Sequence, residues 1–301
     1  MKKVMSHPTV MLVLLILFWG ASWPIYKIAV PYTPPLLFSG LRAFLGGVLL
    51  TILIWKSRQQ IQWKKHWKKY VVSAFFNCVL FFGLQTIGLN FLPGGLFSVL
   101  VYVQPILLGV FAWLMLDEYL SGIRVIGLII GFIGILIASW DGLSYHVSVI
   151  GVTLALATGV AWAYGVICVK KVSKEINAFW MVAIQSMIGG LFLLINGVMF
   201  ESWSDIVWNG PFLFGLIFGV TIGMPAAYII YYTLINKGEA SKVGSATFLV
   251  SIISVLIGVV FLDETLTMKL LIGMILVGIS IYLVNFNEKK AKERVIKKHS
   301  R

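Results

Sequence analysis

The chain has 301 residues, 59% of them apolar and only 12% charged, with a mean hydropathy of +0.96. So little polar surface cannot cover a soluble fold, which leaves a lipid bilayer as the main partner of the chain. The net charge of +13 would suit nucleic acid, but the basic residues gather at the ends of apolar runs. That is a membrane-topology pattern, and no nucleic-acid partner is expected.

In chain order, residues 1–7 form a short basic start with Lys2 and Lys3. No small-residue cleavage site follows, so no removed leader is expected. Apolar runs at 8–29 and 36–55 flank the uncharged turn 31–35, and the loop 56–69 carries Lys56, Arg58, Lys64, Lys65, Lys68 and Lys69. A run at 70–91 ends in the break Leu92-Pro93-Gly94 and is followed by 95–116 and 122–140. Gly127, Gly131 and Gly134 in the last of these have the spacing that lets membrane helices approach closely. Further runs fill 148–169, followed by Lys170, Lys171 and Lys174, then 178–200, followed by an acidic segment, then 211–235, 241–262 and 268–286. Residues 289–301 are a basic tail.

Ten spans return both termini to one side. All but three of the 24 Lys and Arg fall on that side, the others being Lys27, Lys269 and Arg42. Basic loops stay cytoplasmic, so the expected protein is multi-pass in the plasma membrane with both termini cytoplasmic.

The chain is also one unit written twice. Leu116-Asp117-Glu118 returns 146 residues later as Leu262-Asp263-Glu264. Residues 38–50 align with 181–193 at an offset of 143, which sets Gly46-Gly47 on Gly189-Gly190 and Arg42 on Gln185. Five spans per unit is an odd number, so the second copy enters the membrane inverted. The expected fold is all-α and integral to the membrane, with ten transmembrane helices as two inverted five-helix repeats, 1–145 and 146–288. Transporters built this way place their site near the midplane, between the repeats.

These residues resemble the drug/metabolite transporter superfamily, EamA type. The resemblance rests on Phe18-Trp19-Gly20-Ala21-Ser22, on Leu41-Arg42, and on Gly83-Leu84-Gln85 leading to Pro105 and Leu116-Asp117-Glu118, with their second-half partners. It covers nearly the whole chain, and the duplicated order is more specific than any single motif. It implies ten helices around a central cavity and movement of amino acids and related metabolites, often outward. One departure is Ser251 at the place of Pro105, so the second copy is expected to lack the kink of the first.

Proline inside a helix frees the carbonyl four residues earlier and bends the axis. Pro24, Pro105 and Pro225 are therefore candidate hinges around a cavity, or plain packing kinks. Trp19, Trp23 and Tyr26 share one helical face, Tyr228, Tyr231 and Tyr232 another, Ser98, Tyr102 and Pro105 a third, and Asn77 and Gln85 a fourth. With Trp162 and Gln185 these supply the apolar walls and convergent polar groups of a small-molecule site. The competing reading is an interfacial aromatic belt, which suits Tyr26 and Tyr32 in particular.

Arg42 lies about six residues inside a span, where a charge is costly and faces a cavity or a partner. It either contacts a carboxylate or anchors its helix, and a snorkelling arginine is the third reading. The candidate substrate contacts are thus Trp19, Trp23, Arg42, Asn77, Gln85, Tyr102, Trp162, Gln185, Tyr228 and Tyr232.

The absences in the sequence count as well. No carboxylate lies inside a span, Asp117, Glu118, Asp263 and Glu264 sitting at helix ends, and His7, His66, His146 and His299 lie in loops or the tail, so strict proton coupling is not expected. Cys78 and Cys168 make no disulfide framework, no phosphate-binding loop is present, and no metal, cofactor or catalytic set is expected. The leading reading is a metabolite transporter acting as a monomer or homodimer on a small-molecule substrate. The alternatives are an integral-membrane enzyme of lipid-soluble substrates, which would want intramembrane His, Asp or Glu, and an accessory membrane protein.

Overall fold

The protein's structure, a computed structural model, describes residues 8–88, 91, 97, 100–138, 148–238, 240–261 and 268–286. The basic start, Leu92-Pro93-Gly94, Ser98, the Leu262-Asp263-Glu264 copy and the tail lie outside the described residues.

All regular structure among the described residues is helical. Helix α1 is Pro8–Ala29 and α2 is Pro35–Leu53. Helix α3, Trp63–Ala74, passes through a π-helical turn, Phe75–Leu80, into α4, Phe81–Gly88. Then come α5, Gln104–Leu116, α6, Gly122–Ala138, α7, Val149–Lys171, and α8, Ala178–Phe200. Helix α9, Gly210–Phe218, passes through a second π-helical turn, Gly219–Ala226, into α10, Ala227–Lys237. The last segments are α11, Ala240–Ala246, α12, Phe248–Phe261, and α13, Met268–Phe286.

Five stretches are long and apolar enough to cross a bilayer: Pro8–Tyr26, Pro35–Leu53, Val149–Lys171, Ala178–Phe200 and Gly210–Lys237. Shorter apolar helices accompany them. Large apolar side chains such as Leu53, Trp113, Ile126, Val198 and Phe214 are exposed, as a lipid-facing surface requires. The chain is a multi-pass membrane protein.

Polar side chains set where several helices begin. Asn177 accepts from the Phe179 N–H at 2.8 Å, Asn209 from the Phe212 N–H at 3.0 Å and Ser148 from the Gly151 N–H at 3.3 Å. Helix α2 opens on Pro35, whose missing N–H costs nothing in a first turn. Its next two amides donate to the Glu201 carboxylate, each at 2.8 Å, from 165 and 164 residues away in sequence. The Glu118 carboxylate does the same for α11, accepting from the Ala240 N–H at 2.9 Å while paired with Lys170.

Glycines set the closest helix approaches. A Cβ added at Gly47 would lie 2.8 Å from the Met187 nitrogen, and one at Gly190 would lie 2.8 Å from Phe44 Cα. The two contacts interchange when each residue moves by 143 positions. Between α6 and α13, Gly134 faces the Gly273 carbonyl oxygen and Gly127 the Ser280 carbonyl oxygen, at 3.0 and 3.2 Å from an added Cβ. These interchange at 146. Against the two π-helical turns, Gly46 faces Val220 and Met224, and Gly189 faces Ala74 and Cys78, again as a matched set. Only small residues let backbones come this near in a membrane.

The expected loss of the second-copy kink is not what the structure has. The helix breaks at Thr247, between α11 and α12, without a proline. The Thr247 hydroxyl and N–H both donate to the Gly244 carbonyl, at 2.6 and 3.0 Å. A hydroxyl that takes this acceptor tightens the turn and ends the α-helical ladder. In the first copy the break falls at Tyr102 and Val103, so Pro105 sits in the opening turn of α5, not at mid-helix. The Val101 carbonyl there faces Gly159, 3.0 Å from an added Cβ.

Candidate functional site

A cavity of about 90 Å³ lies among α1, α2, α4, α7, the second π-helical turn, α10 and the breaks before α5 and α12. One water needs roughly 10–15 Å³, so the space holds several. Its polar or charged lining residues are Ser22, Tyr26, Arg42, Gln85, Tyr102, Trp162 and Tyr228, with Trp19, Phe81, Phe82, Val101, Met224 and Val250 among the apolar ones.

Among the described residues, Arg42 is the one charged residue of this lining. It is 7% exposed and has no ion pair or hydrogen bond among the described residues, and its Nε is unpartnered. Its guanidinium carbon sits 4.3 Å from the Tyr26 ring centre, 4.9 Å from Phe82 and 5.5 Å from Phe38. Three rings compensate a cation in part, but they leave the planar donor fork free for two carboxylate oxygens. Gly219 makes room for it: a Cβ there would come 3.0 Å from Arg42 Cβ and 3.4 Å from the Tyr26 hydroxyl.

Trp19 organises the opposite wall. Its ring centre lies 4.9 Å from Tyr231, 5.4 Å from Tyr228 and 5.7 Å from Trp162. Phe81 continues the surface at 5.1 Å from Trp162, and Phe82 lies 5.0 Å from Phe81. Beside this wall Trp162 Nε1 has no hydrogen-bond partner among the described residues, and the buried Tyr231 hydroxyl and Gln104 amide face each other.

Six of the residues expected from the sequence therefore meet at one place: Trp19, Arg42, Gln85, Tyr102, Trp162 and Tyr228. The Trp23 side chain lies outside the described residues. Asn77, Gln185 and Tyr232 do not line the cavity. They form a separate buried network in which Gln185 donates to the Tyr232 hydroxyl at 2.9 Å, Ser73 donates to Gln185, and Asn77 donates to Ser73 at 3.2 Å. Pro24 is buried within a continuous α1, and Pro225 sits in the second π-helical turn. Helix α3 makes the matching π-helical turn without proline. Tyr26, Phe82 and Gln104 were not singled out as contacts. The 146 offset sets Phe82 on Tyr228, and that signal could have found it.

The fold and cavity define a multi-pass helical membrane protein with a small cavity between its helices. The profile described as "EamA-like transporter family" matches residues 8–140 and 149–286. The chain belongs to this family and is a membrane transporter. It is 46% identical to "Uncharacterized transporter YvbV" of Bacillus subtilis (strain 168), over 97% of this chain and 95% of that one. It is 24% identical to a "Probable amino-acid metabolite efflux pump" of Escherichia coli (strain K12), over 91% and 93%. A solved crystal structure superposes with a TM-score of 0.81 at 17% identity, covering 95% of this chain and 99% of that chain, which shows the shared fold.

Proposed function

We propose that the protein exports small amphipathic metabolites, amino acids or their relatives, across the plasma membrane by alternating access around the Arg42 cavity. In this reading the chain has ten spans in two inverted halves, 1–145 and 146–288, a tail at 289–301, and both termini in the cytoplasm. The interchanging glycine contacts at offsets of 143 and 146 support the inversion. The printed name of the Escherichia coli relative supports the solute class, and the matched breaks before α5 and α12 supply hinges.

The observation that carries the reading is Arg42: a buried cation with free donors in an aromatic-walled cavity. Such a residue within a membrane marks a substrate path. The test is solute counterflow in liposomes holding the purified chain, screened across labelled amino acids and their derivatives. Uptake of some solutes, lost in Arg42→Gln, is expected. No counterflow of any solute by correctly folded protein would reject the reading.

A further inference from the structure

The cavity has two chemically different ends. At one, Arg42 is more than nine-tenths buried, with a free fork and no acidic partner among the described residues. A buried cation left without an anion is strongly unfavourable. A solute that carries one negative charge relieves that cost. A zwitterion brings an ammonium as well, and the described lining holds no carboxylate to receive it.

At the other end stands Trp162, with Gln104 and Tyr231 buried behind the lining. The Gln104 amide and the Tyr231 hydroxyl face each other, whereas the Trp162 N–H has no partner among the described residues and offers one uncharged donor. Buried polar atoms without partners are rare and call for an explanation. Gln104 and Tyr231 are 0% exposed, and Trp162 is 6% exposed and reaches the cavity. Gln104 sits next to Pro105 in the opening turn of α5, and its backbone nitrogen lies 3.7 Å from a Cβ added at Gly159, one helical turn before Trp162. Between the two ends run the rings of Phe82, Phe81 and Trp19, a surface suited to a flat apolar body.

The geometry points to an organic monoanion as the preferred solute: an acid group on Arg42, an apolar or aromatic body on the rings, and an uncharged acceptor such as an amide carbonyl toward the Trp162 N–H. This rests on the transport reading and narrows its solute class from amino acids to their singly negative derivatives. The free zwitterion is discriminated against because its ammonium finds no acid.

Four probes that share one ring test it by calorimetry on the full chain in nanodiscs. They are N-acetylphenylalanine (monoanion with amide), 3-phenylpropionate (monoanion without amide), phenylalanine (zwitterion) and phenylalaninamide (cation). N-acetylphenylalanine should bind at least about tenfold tighter than phenylalanine, as expected when a charge-assisted pair forms without a stranded ammonium. Phenylalaninamide should bind weakest. Trp162→Phe should weaken N-acetylphenylalanine binding but not 3-phenylpropionate binding, and Arg42→Gln should erase the charge ranking.

Phenylalanine binding as tightly as its N-acetyl form would overturn the proposal, and so would binding of none of the four. The wild-type ranking stands as the test even if Arg42→Gln fails to fold. If the ranking holds but liposomes move no solute, the transport reading fails and the monoanion site remains.

Discussion

Gln185 donates its amide to the Tyr232 hydroxyl at 2.9 Å, with both side chains buried, while Arg42, its counterpart 143 residues earlier, has no hydrogen bond among the described residues. The difference lies in what faces each position. Arg42 meets Gly219, whereas Gln185 meets Ser73, the residue 146 positions before that glycine. One half is thus filled, with Gln185 hydrogen-bonded to both Ser73 and Tyr232, and the other is open and charged. Removal of a partner from a satisfied buried network leaves orphaned groups at about 1–3 kcal/mol. Gln185→Leu should lower the thermal midpoint by several degrees and leave the wild-type ranking of solutes intact in the folded protein. A changed ranking with unchanged stability would place Gln185 in the solute path after all.

The open half depends on Gly219 and Gly223. Gly219→Ser copies the filled half, and its Cβ would come 3.0 Å from Arg42 Cβ, a part of the side chain too near the backbone to swing aside. In Gly223→Ala the new Cβ would strike the Tyr26 hydroxyl. Displacement of Tyr26 removes a ring 4.3 Å from the guanidinium, a contact worth about 0.5–2 kcal/mol. Both variants should weaken anion binding severalfold or more, measured by calorimetry. Wild-type affinity in both would mean that Arg42 does not need this slot.

The glycine seams give a stability test with an internal control. A Cβ at Gly190 would press on the Phe44 backbone, with Phe44 Cα 2.8 Å away, whereas one at Gly278 would meet nothing within 4 Å. Overpacking of this kind costs about 1–3 kcal/mol, and a helix-interior glycine replaced by alanine in open space gains about 0.5–1 kcal/mol. Gly190→Ala should unfold well below wild type, and Gly278→Ala at or above it. Equal midpoints for the two would contradict the α2–α8 seam.

Much of this was legible in the sequence. The duplicated glycine pairs, Arg42 on Gln185 and the apolar runs carry the repeat and the helix bounds, because close helix approach demands glycine and the bilayer demands length. Tyr26 was not legible as a cavity residue. Its position suits an interfacial belt, and only the two glycines opposite let it reach Arg42. The break at Thr247 was hidden because one hydroxyl does what proline does in the first copy.

His66, at the basic end of α3, gives a pH dependence. Its side chain is 1% exposed, with Lys69 and Lys65 as neighbouring cations and Glu175 4.0 Å away. Burial first, then the two lysines, hold its pKa below 6.5, and Glu175 offsets only part of this. The folded state therefore binds protons less readily than the unfolded one. The stability that neutral His66 contributes is complete above about pH 6.5 and is lost as pH falls through the lowered folded value. Thermal midpoints of the wild type should decline below pH 6.5 more steeply than those of His66→Leu. Parallel declines would show that His66 is not the titrating group.

The Glu118 carboxylate joins three elements. It pairs with Lys170 at the end of α7, accepts from the Ala240 N–H at 2.9 Å and from the Ser241 hydroxyl at 3.4 Å, and itself follows α5. Lys170 also donates to the Gly238 carbonyl at 2.7 Å. Two roles are combined here, a cap on α11 and an ion pair to α7, and substitutions separate them. Lys170→Met removes the pair and leaves the cap. Glu118→Gln removes the charge but keeps an acceptor. Glu118→Ala removes both, at about 1–3 kcal/mol for the stranded amides. Hydrogen exchange at Ala240 and Ser241 should therefore be fastest in Glu118→Ala, intermediate in Glu118→Gln and near wild type in Lys170→Met. Glu118 does not line the cavity, so solute affinity should hold across the series while maximal flux in liposomes changes, as expected if opening of this end limits turnover. Equal exchange in all three variants would show that the carboxylate ties nothing down, and a loss of affinity in Glu118→Ala would show that this end shapes the cavity directly.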